Sequence, residues 1–282
     1  MVENFRVSWF EENNENEKLV KVPYSGGYSK NFDIVFNLAF NSHEIKTVYY
    51  GLDMFFDFFS RDSNATRNEL PQYLYDYNVF NDVKYIYNKD VWYKYTLYNI
   101  KNLVENVKTD NDLAYVWNDE CTYGLDEILK TYSRPQIVQK AVDKSLYMPN
   151  YDTNMQNITK YIKQHPETKF KIFFPPYSIL EWDMAVRNGQ LDMQIEITKR
   201  VMEDLLQYDN VELYYFQNIE EIITNFDNYK DYSHYNEKIN YYMFECMCKN
   251  GNNRITKNNY INEINHMYEI VKNYDFDKIF NE

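Results

Sequence analysis

The sequence predicts an α/β protein with a parallel sheet, and three observations carry that prediction. Apolar, strand-like runs at 45–50, 170–174 and 211–216 are separated by stretches long enough for helical crossovers. The strongest helical pattern, 191–208, lies between two of those runs, with Met193, Ile197, Val201 and Leu205 on one face. Phe170-Lys171-Ile172-Phe173-Phe174 is nearly continuously apolar, as a strand covered on both faces is. At 282 residues the chain suits one domain, 1–282, carrying an insertion.

The elements follow in order. Residues 1–10 are poorly periodic and 11–17 are a polar connection. Residues 18–22 are a short strand candidate that Pro23 would help to end. Ser25-Gly26-Gly27 is a turn at which backbone N–H groups can approach a ligand closely. Phe32, Val35, Phe36, Ala39 and Phe40 give a helix over 32–40. The strand at 45–50 leads into Gly51-Leu52-Asp53 and is buried on both faces if it is central in the sheet. From 60 to 150 no strand rhythm is evident; helices are expected at 85–107, 125–132 and 136–144, with Arg134-Pro135 as a break. That is too long for an ordinary crossover, so it reads as a helical insertion, a lid or platform on the active-site side.

A helix at 154–164 and a turn at 165–168 precede the strand at 170–174, which Pro175-Pro176 stops. Ligands in open α/β sheets collect beyond the carboxyl ends of strands, which makes Tyr177 and Ser178 site-side candidates. On the helix at 191–208, Glu196 and Arg200 stand four apart, a spacing that allows an ion pair. A short helix at 219–226 delivers the chain to a polar, aromatic loop at 227–236. Beyond it Asn236 is a plausible N-cap, a helix runs to about residue 249, Gly251 ends it, and a last helix covers 257–273.

The loop at 227–236 is where chemistry is expected. Asp231 and His234 lie three apart, so the carboxylate can accept the Nδ1 proton, fix the tautomer and leave Nε2 as a base. The plainer alternative is an acid that caps a helix beside a surface histidine. His43 and His165 sit in turns without an acid at matching spacing, and His266 lies mid-helix.

The order of these features resembles the SGNH (GDSL-like) hydrolase superfamily, and in particular a bacterial subgroup related to cell-surface polysaccharide acyl-transfer and esterase proteins. The resemblance spans roughly residues 2–280, and its strength lies in the order of short motifs. It implies a flavodoxin-like three-layer sandwich and acyl transfer through a serine ester without a cofactor. His234 and Asp231 would be catalytic, Gly27 with Gly26 would serve the oxyanion, and Gly51, Asp53, Tyr177 and Ser178 would edge the substrate. One departure concerns Asp53, which stands where the family usually has asparagine; an ionised carboxylate there would repel an oxyanion. Another concerns the start: Met1-Val2-Glu3-Asn4-Phe5 looks like the residues that directly follow the nucleophile turn. The expectation is therefore either a nucleophile upstream of Met1 or a protein without one.

The formal net charge of −13 offers no basic stripe to a nucleic acid and disfavours an anionic membrane. The expected partner is a small-molecule or polysaccharide acyl ester. Aromatic residues are 18% of the chain, with 30 tyrosines, enough for some to line a carbohydrate groove although most at helical spacing are core. Three cysteines form no disulfide framework, and Cys246-x-Cys248 in a helix points its thiols apart, so no metal is expected. Nothing resembles a signal peptide or a span of about 20 apolar residues. Read literally, that implies a soluble cytoplasmic protein; a missing N-terminal segment would instead allow the cell surface.

Overall fold

The computed structural model describes residues 2–13, 18–53, 56–67, 72–74, 78–106 and 110–280. The principal helices are α1 (Val7–Asn13), α2 (Ser29–Ser42), α3 (Met148–Gln164), α4 (Ile179–Arg187), α5 (Leu191–Leu205), α6 (Glu237–Glu245) and α7 (Tyr260–Asn273). The strands are β1 (Thr47–Gly51), β2 (Lys169–Phe174), β3 (Val211–Tyr215) and β4 (Arg254–Ile255). They form one open sheet in the order β1-β2-β3-β4. The first three are parallel, with Val48 beside Phe170 and Phe170 beside Val211, and β4 is antiparallel to β3.

Alternation along the strands builds two cores, because successive side chains leave opposite faces of a sheet. Phe170, Ile172, Phe174, Leu213 and Tyr215 pack on one face against Phe36 of α2, Ile158 of α3, Ile197 and Val201 of α5, and Ile264 and Met267 of α7. Phe173, Tyr214 and Phe216 take the other face with Phe10 of α1 and Met243 and Phe244 of α6. Helices on both faces of a mostly parallel sheet make an α/β protein compatible with a three-layer arrangement. No helix among the described residues is long and apolar enough to cross a membrane.

Several local expectations change. Residues 18–22 form no strand: Val20 and Val22 face solvent, and Lys21 Nζ instead ties the segment to the carbonyls of Glu3 and Phe5 at 3.0 and 2.9 Å. β1 is the edge of the sheet rather than its centre, and only Tyr50 in it is buried. The helix expected at 85–107 is broken into Val83–Ile86, a π-helical stretch at Val91–Thr96, and Leu97–Val104; residues 107–109 lie outside the described residues. Residues 136–143 are not helical, because their N–H groups are taken by a neighbour: Val138 and Val142 donate to the carbonyls of Arg187 and Gly189, each at 2.8 Å. The Glu196–Arg200 pair does not form; Arg200 reaches Asp152 at 2.8 Å and Glu196 reaches Lys144 at 3.7 Å. Helix α4 is an element that apolar spacing did not single out.

Candidate functional site

The site is assembled beyond the carboxyl ends of β1 and β2, where the chain continues into Leu52-Asp53 and Pro175–Ser178. The loop carrying Asp231 and His234 crosses this end of the sheet and is fixed at both its stems. Tyr229 and Tyr235 form an antiparallel bridge, Lys230 N donates to His234 O at 3.0 Å, and Asn236 N to Asn228 O at 2.8 Å. Ser178 closes the loop from below: its backbone N–H and its hydroxyl donate to the Tyr232 carbonyl at 3.3 and 2.6 Å. The buried Tyr229 hydroxyl donates to Pro176 O at 3.1 Å. Asn236 caps α6 through its side chain, which accepts from Ile239 N at 3.3 Å.

Within that frame His234 Nδ1 lies 2.9 Å from both carboxylate oxygens of Asp231. Asp231 Oδ1 also accepts the backbone N–H groups of Ser233 and His234, at 3.0 and 2.8 Å. Burial works to push the Asp231 carboxyl up, but these hydrogen bonds and the charge of the imidazole outweigh it and hold the group at about 2. An ionised Asp231 that accepts Nδ1–H puts the imidazole lone pair on Nε2, which makes no hydrogen bond to a described residue.

Trp117 of the insertion stands edge-on to His234, with ring centres 6.0 Å apart, and Lys230 Nζ covers the indole at 4.0 Å. The same tryptophan anchors the N-terminal residues, since its backbone N–H donates to the buried Asn4 Oδ1 at 3.1 Å and its indole N–H to Glu3 at 3.5 Å. Arg6 pairs with Glu237 at the start of α6, so residues 4–6 lie against the edge of the site.

Beside the loop is a cavity of about 320 Å³. Gly26, Gly27, Tyr28 and Arg67 line it together with Asp53 and Phe58, and Tyr232 and Ser233 bring the loop of Asp231 and His234 to its wall. Helix α4 contributes Glu181, Met184 and Ala185; Asn188 and Gln190 come from the turn after it and Gln194 from α5. Gly26 is left-handed at φ +60, a conformation that strains any other residue, and the end of the Arg67 side chain lies over it.

The residues that sequence reading proposed divide between the cavity and its supports. Gly26, Gly27 and Asp53 line it; His234 and Asp231 do not, although Tyr232 and Ser233 between them do. The Gly27 N–H is directed to Tyr24 O at 3.4 Å, a long turn bond. Tyr177 is buried behind the wall and donates its hydroxyl to Asp53; burial, then the Asp53 charge, push that phenol well up. Ser178 is a loop support, and Gly51 is a packing glycine against Phe173 and Val2.

Glu181 went unnoticed in the sequence. It is 5% exposed, and burial followed by the charges of Asp53 and Asp231 pushes its carboxyl up to about 8. The signal available was an acid inside the apolar run Ile179-Leu180-Glu181-Trp182. Nothing in the sequence connects Trp117 to His234. Among the described residues no group of three or more His, Cys, Asp or Glu side chains is arranged to hold a metal ion. No family model matches the chain, and neither a curated protein nor a solved structure matches it.

Proposed function

We propose that the chain is an SGNH-like esterase or O-acyltransferase acting on an acyl ester, with esters of a cell-surface polysaccharide among its substrates. The observation that carries this reading is the Asp231–His234 pair, with Nδ1 held at 2.9 Å and Nε2 bonded to no described residue, in a loop whose Tyr232 and Ser233 line a glycine-edged cavity. In such a pair Nε2 takes the proton of an attacking hydroxyl, and the Asp231 carboxylate stabilises the imidazolium that forms. The long Gly27–Tyr24 bond leaves that N–H able to turn to a developing oxyanion. Asp53 accepts from Tyr177 and so acts as a positioned acceptor rather than an oxyanion donor.

The resemblance implies a serine hydroxyl as the nucleophile, in a Gly-Asp-Ser-type turn followed by residues like Val2-Glu3-Asn4-Phe5. Residues of that stretch stand at the edge of the loop: Asn4 accepts from the Trp117 backbone N–H and Arg6 pairs with Glu237. Hydrolysis of p-nitrophenyl acetate, by this chain and by one extended with any residues encoded in frame before Met1, tests the reading. His234→Ala should lower the rate by about a thousandfold; an unchanged rate removes His234 from the chemistry.

A second reading, a carbohydrate-binding module without catalysis, is favoured by the local serines. Ser29 and Ser178 are buried and donate to Asn154 and Tyr232, at 2.7 and 2.6 Å. Ser25 donates to Glu3 at 3.3 Å, and Ser233 approaches Nδ1, the nitrogen already held by Asp231. Under this reading sugar binding survives His234→Ala, and the extended chain hydrolyses no ester.

A further inference from the structure

We propose that the cavity binds a neutral sugar unit, whose neighbouring hydroxyls complete the hydrogen bonding of the buried Glu181 carboxyl and Gln194 carboxamide. The inference rests on the reading that this cavity is the ligand site, and it names the class of ligand.

Glu181 and Gln194 are 5% and 8% exposed, come from two different helices, and line the same cavity. Neither side chain makes a hydrogen bond to a described residue; Glu181 Oε2 is sealed without a partner, so a ligand in the cavity would meet this carboxyl through Oε1, which like the Gln194 carboxamide is not sealed. Buried polar groups are nearly always paired, so two such groups facing one cavity point to a partner that occupies it. The ordinary use of this glutamate is ruled out by geometry. Ser178 and Glu181 have the spacing of a helix capping box, in which the acid would accept the Ser178 N–H. Here Ser178 gives both its N–H and its hydroxyl to Tyr232 O, and Glu181 is left unconsumed.

The chemistry of the lining selects a hydroxylated, uncharged ligand. Asp53 follows β1, Asp231 and Tyr232 come from the catalytic loop, and Tyr177 precedes α4; these titratable groups surround Glu181, whose proton is retained up to about pH 8. A carboxyl in its acid form donates one hydrogen bond, and a carboxamide both donates and accepts. A hydroxyl also does both, so a vicinal diol satisfies the two together, whereas a carboxylate placed there would face Asp53 and Asp231. Asn188 and Gln190 supply further amides, and Tyr28, Phe58 and Tyr232 supply apolar faces for the C–H side of a ring. Arg67, an exposed side chain whose guanidinium lies against Gly26, is the one cation among the described lining residues, and glucuronate tests whether it draws a charged ligand.

Calorimetric titration with the methyl glycosides of glucose, galactose, mannose and N-acetylglucosamine tests the proposal, with glucuronate as the charged counterpart. At least one neutral glycoside should bind more tightly than about 10 mM. Glu181→Leu and Gln194→Leu should each weaken it about tenfold. Wild-type binding should fall as pH rises above about 8, and Glu181→Gln should bind with no such fall. The proposal is overturned if no neutral glycoside binds, if glucuronate is preferred, or if both leucine variants bind unchanged. Should the leucine variants not fold, the wild-type pH profile against that of Glu181→Gln decides. Binding needs no nucleophile, so its absence beside His234-dependent ester hydrolysis sinks this inference alone. Glycoside binding beside hydrolysis indifferent to His234→Ala sinks the hydrolase reading alone.

Discussion

The insertion contains two regions that behave in opposite ways. Between residues 112 and 132 the chain is docked: Ser8 N and Oγ bond Asp112 at 2.8 and 3.0 Å, and Gly124 N donates to Tyr229 O at 3.0 Å. Asn118 Oδ1 accepts Glu237 N at 2.8 Å, and Ile128 is fully buried. Between residues 83 and 104 the chain is an arm whose Tyr87, Leu103 and Val104 are 80%, 79% and 77% exposed. Yet the arm has the clearer apolar periodicity of the two. Periodicity reports which backbone conformation a segment prefers; whether its apolar face is covered depends on what reaches it from elsewhere. The docked region is held by hydrogen bonds from distant residues, and those cannot be read from local spacing.

The largest expected contrast is within this comparison. Ile128→Ala should cost about 2–5 kcal/mol in urea unfolding, because it opens a cavity in the docked region. A cost below about 1 kcal/mol would mean that the docking is not a packed contact. Next comes Glu181, the acid that lines the cavity. The folded Glu181 carboxyl, pushed up to about 8, keeps a proton that the unfolded chain releases from about 4.5 upward. Stability contributed by the acid form is therefore present at low pH and lost as pH rises through that window. Glu181→Gln should stabilise by roughly 3 kcal/mol at pH 7, with no difference below pH ~4. Parallel pH–stability curves for the two proteins would show that the carboxyl titrates as an ordinary one.

Asp231 has the opposite sign and a smaller size. Its carboxyl, held at about 2, contributes stability that is present above its ordinary value of 3.8 and lost as pH falls toward 2. Asp231→Asn should cost on the order of 1–2 kcal/mol near neutrality, discounted for the half-exposed imidazole, and should flatten the acid limb. A variant whose acid unfolding overlays that of wild type would deny the pairing. The smallest effect belongs to the arm: Leu103→Ala should change stability by less than about 0.5 kcal/mol. A loss comparable to that of Ile128→Ala would reveal a covering surface on the arm and break the comparison.

Much of the frame was legible because it is written locally. The strands at 47–51, 169–174 and 211–215, the long helix α5, the Asn236 cap and the left-handed stop at Gly251 (φ +71) all follow from apolar runs and cap chemistry. The Asp231–His234 hydrogen bond was legible too, because three residues of one loop contain both partners. Residues 18–22 misled because alternation without a neighbouring strand has nothing to pair with.

By itself the sequence determined the α/β alternation, the position of the polar loop and the identity of the pair in it. Only the tertiary structure decided that Trp117 lies against His234, that β1 is an edge, and that the arm's apolar residues stay in solvent. It also decided that Glu181, an ordinary acid in the chain, keeps its proton. Desolvation and the fields of Asp53 and Asp231, which lie 128 and 50 residues away from Glu181 in sequence, arise only when these segments meet at one end of the sheet.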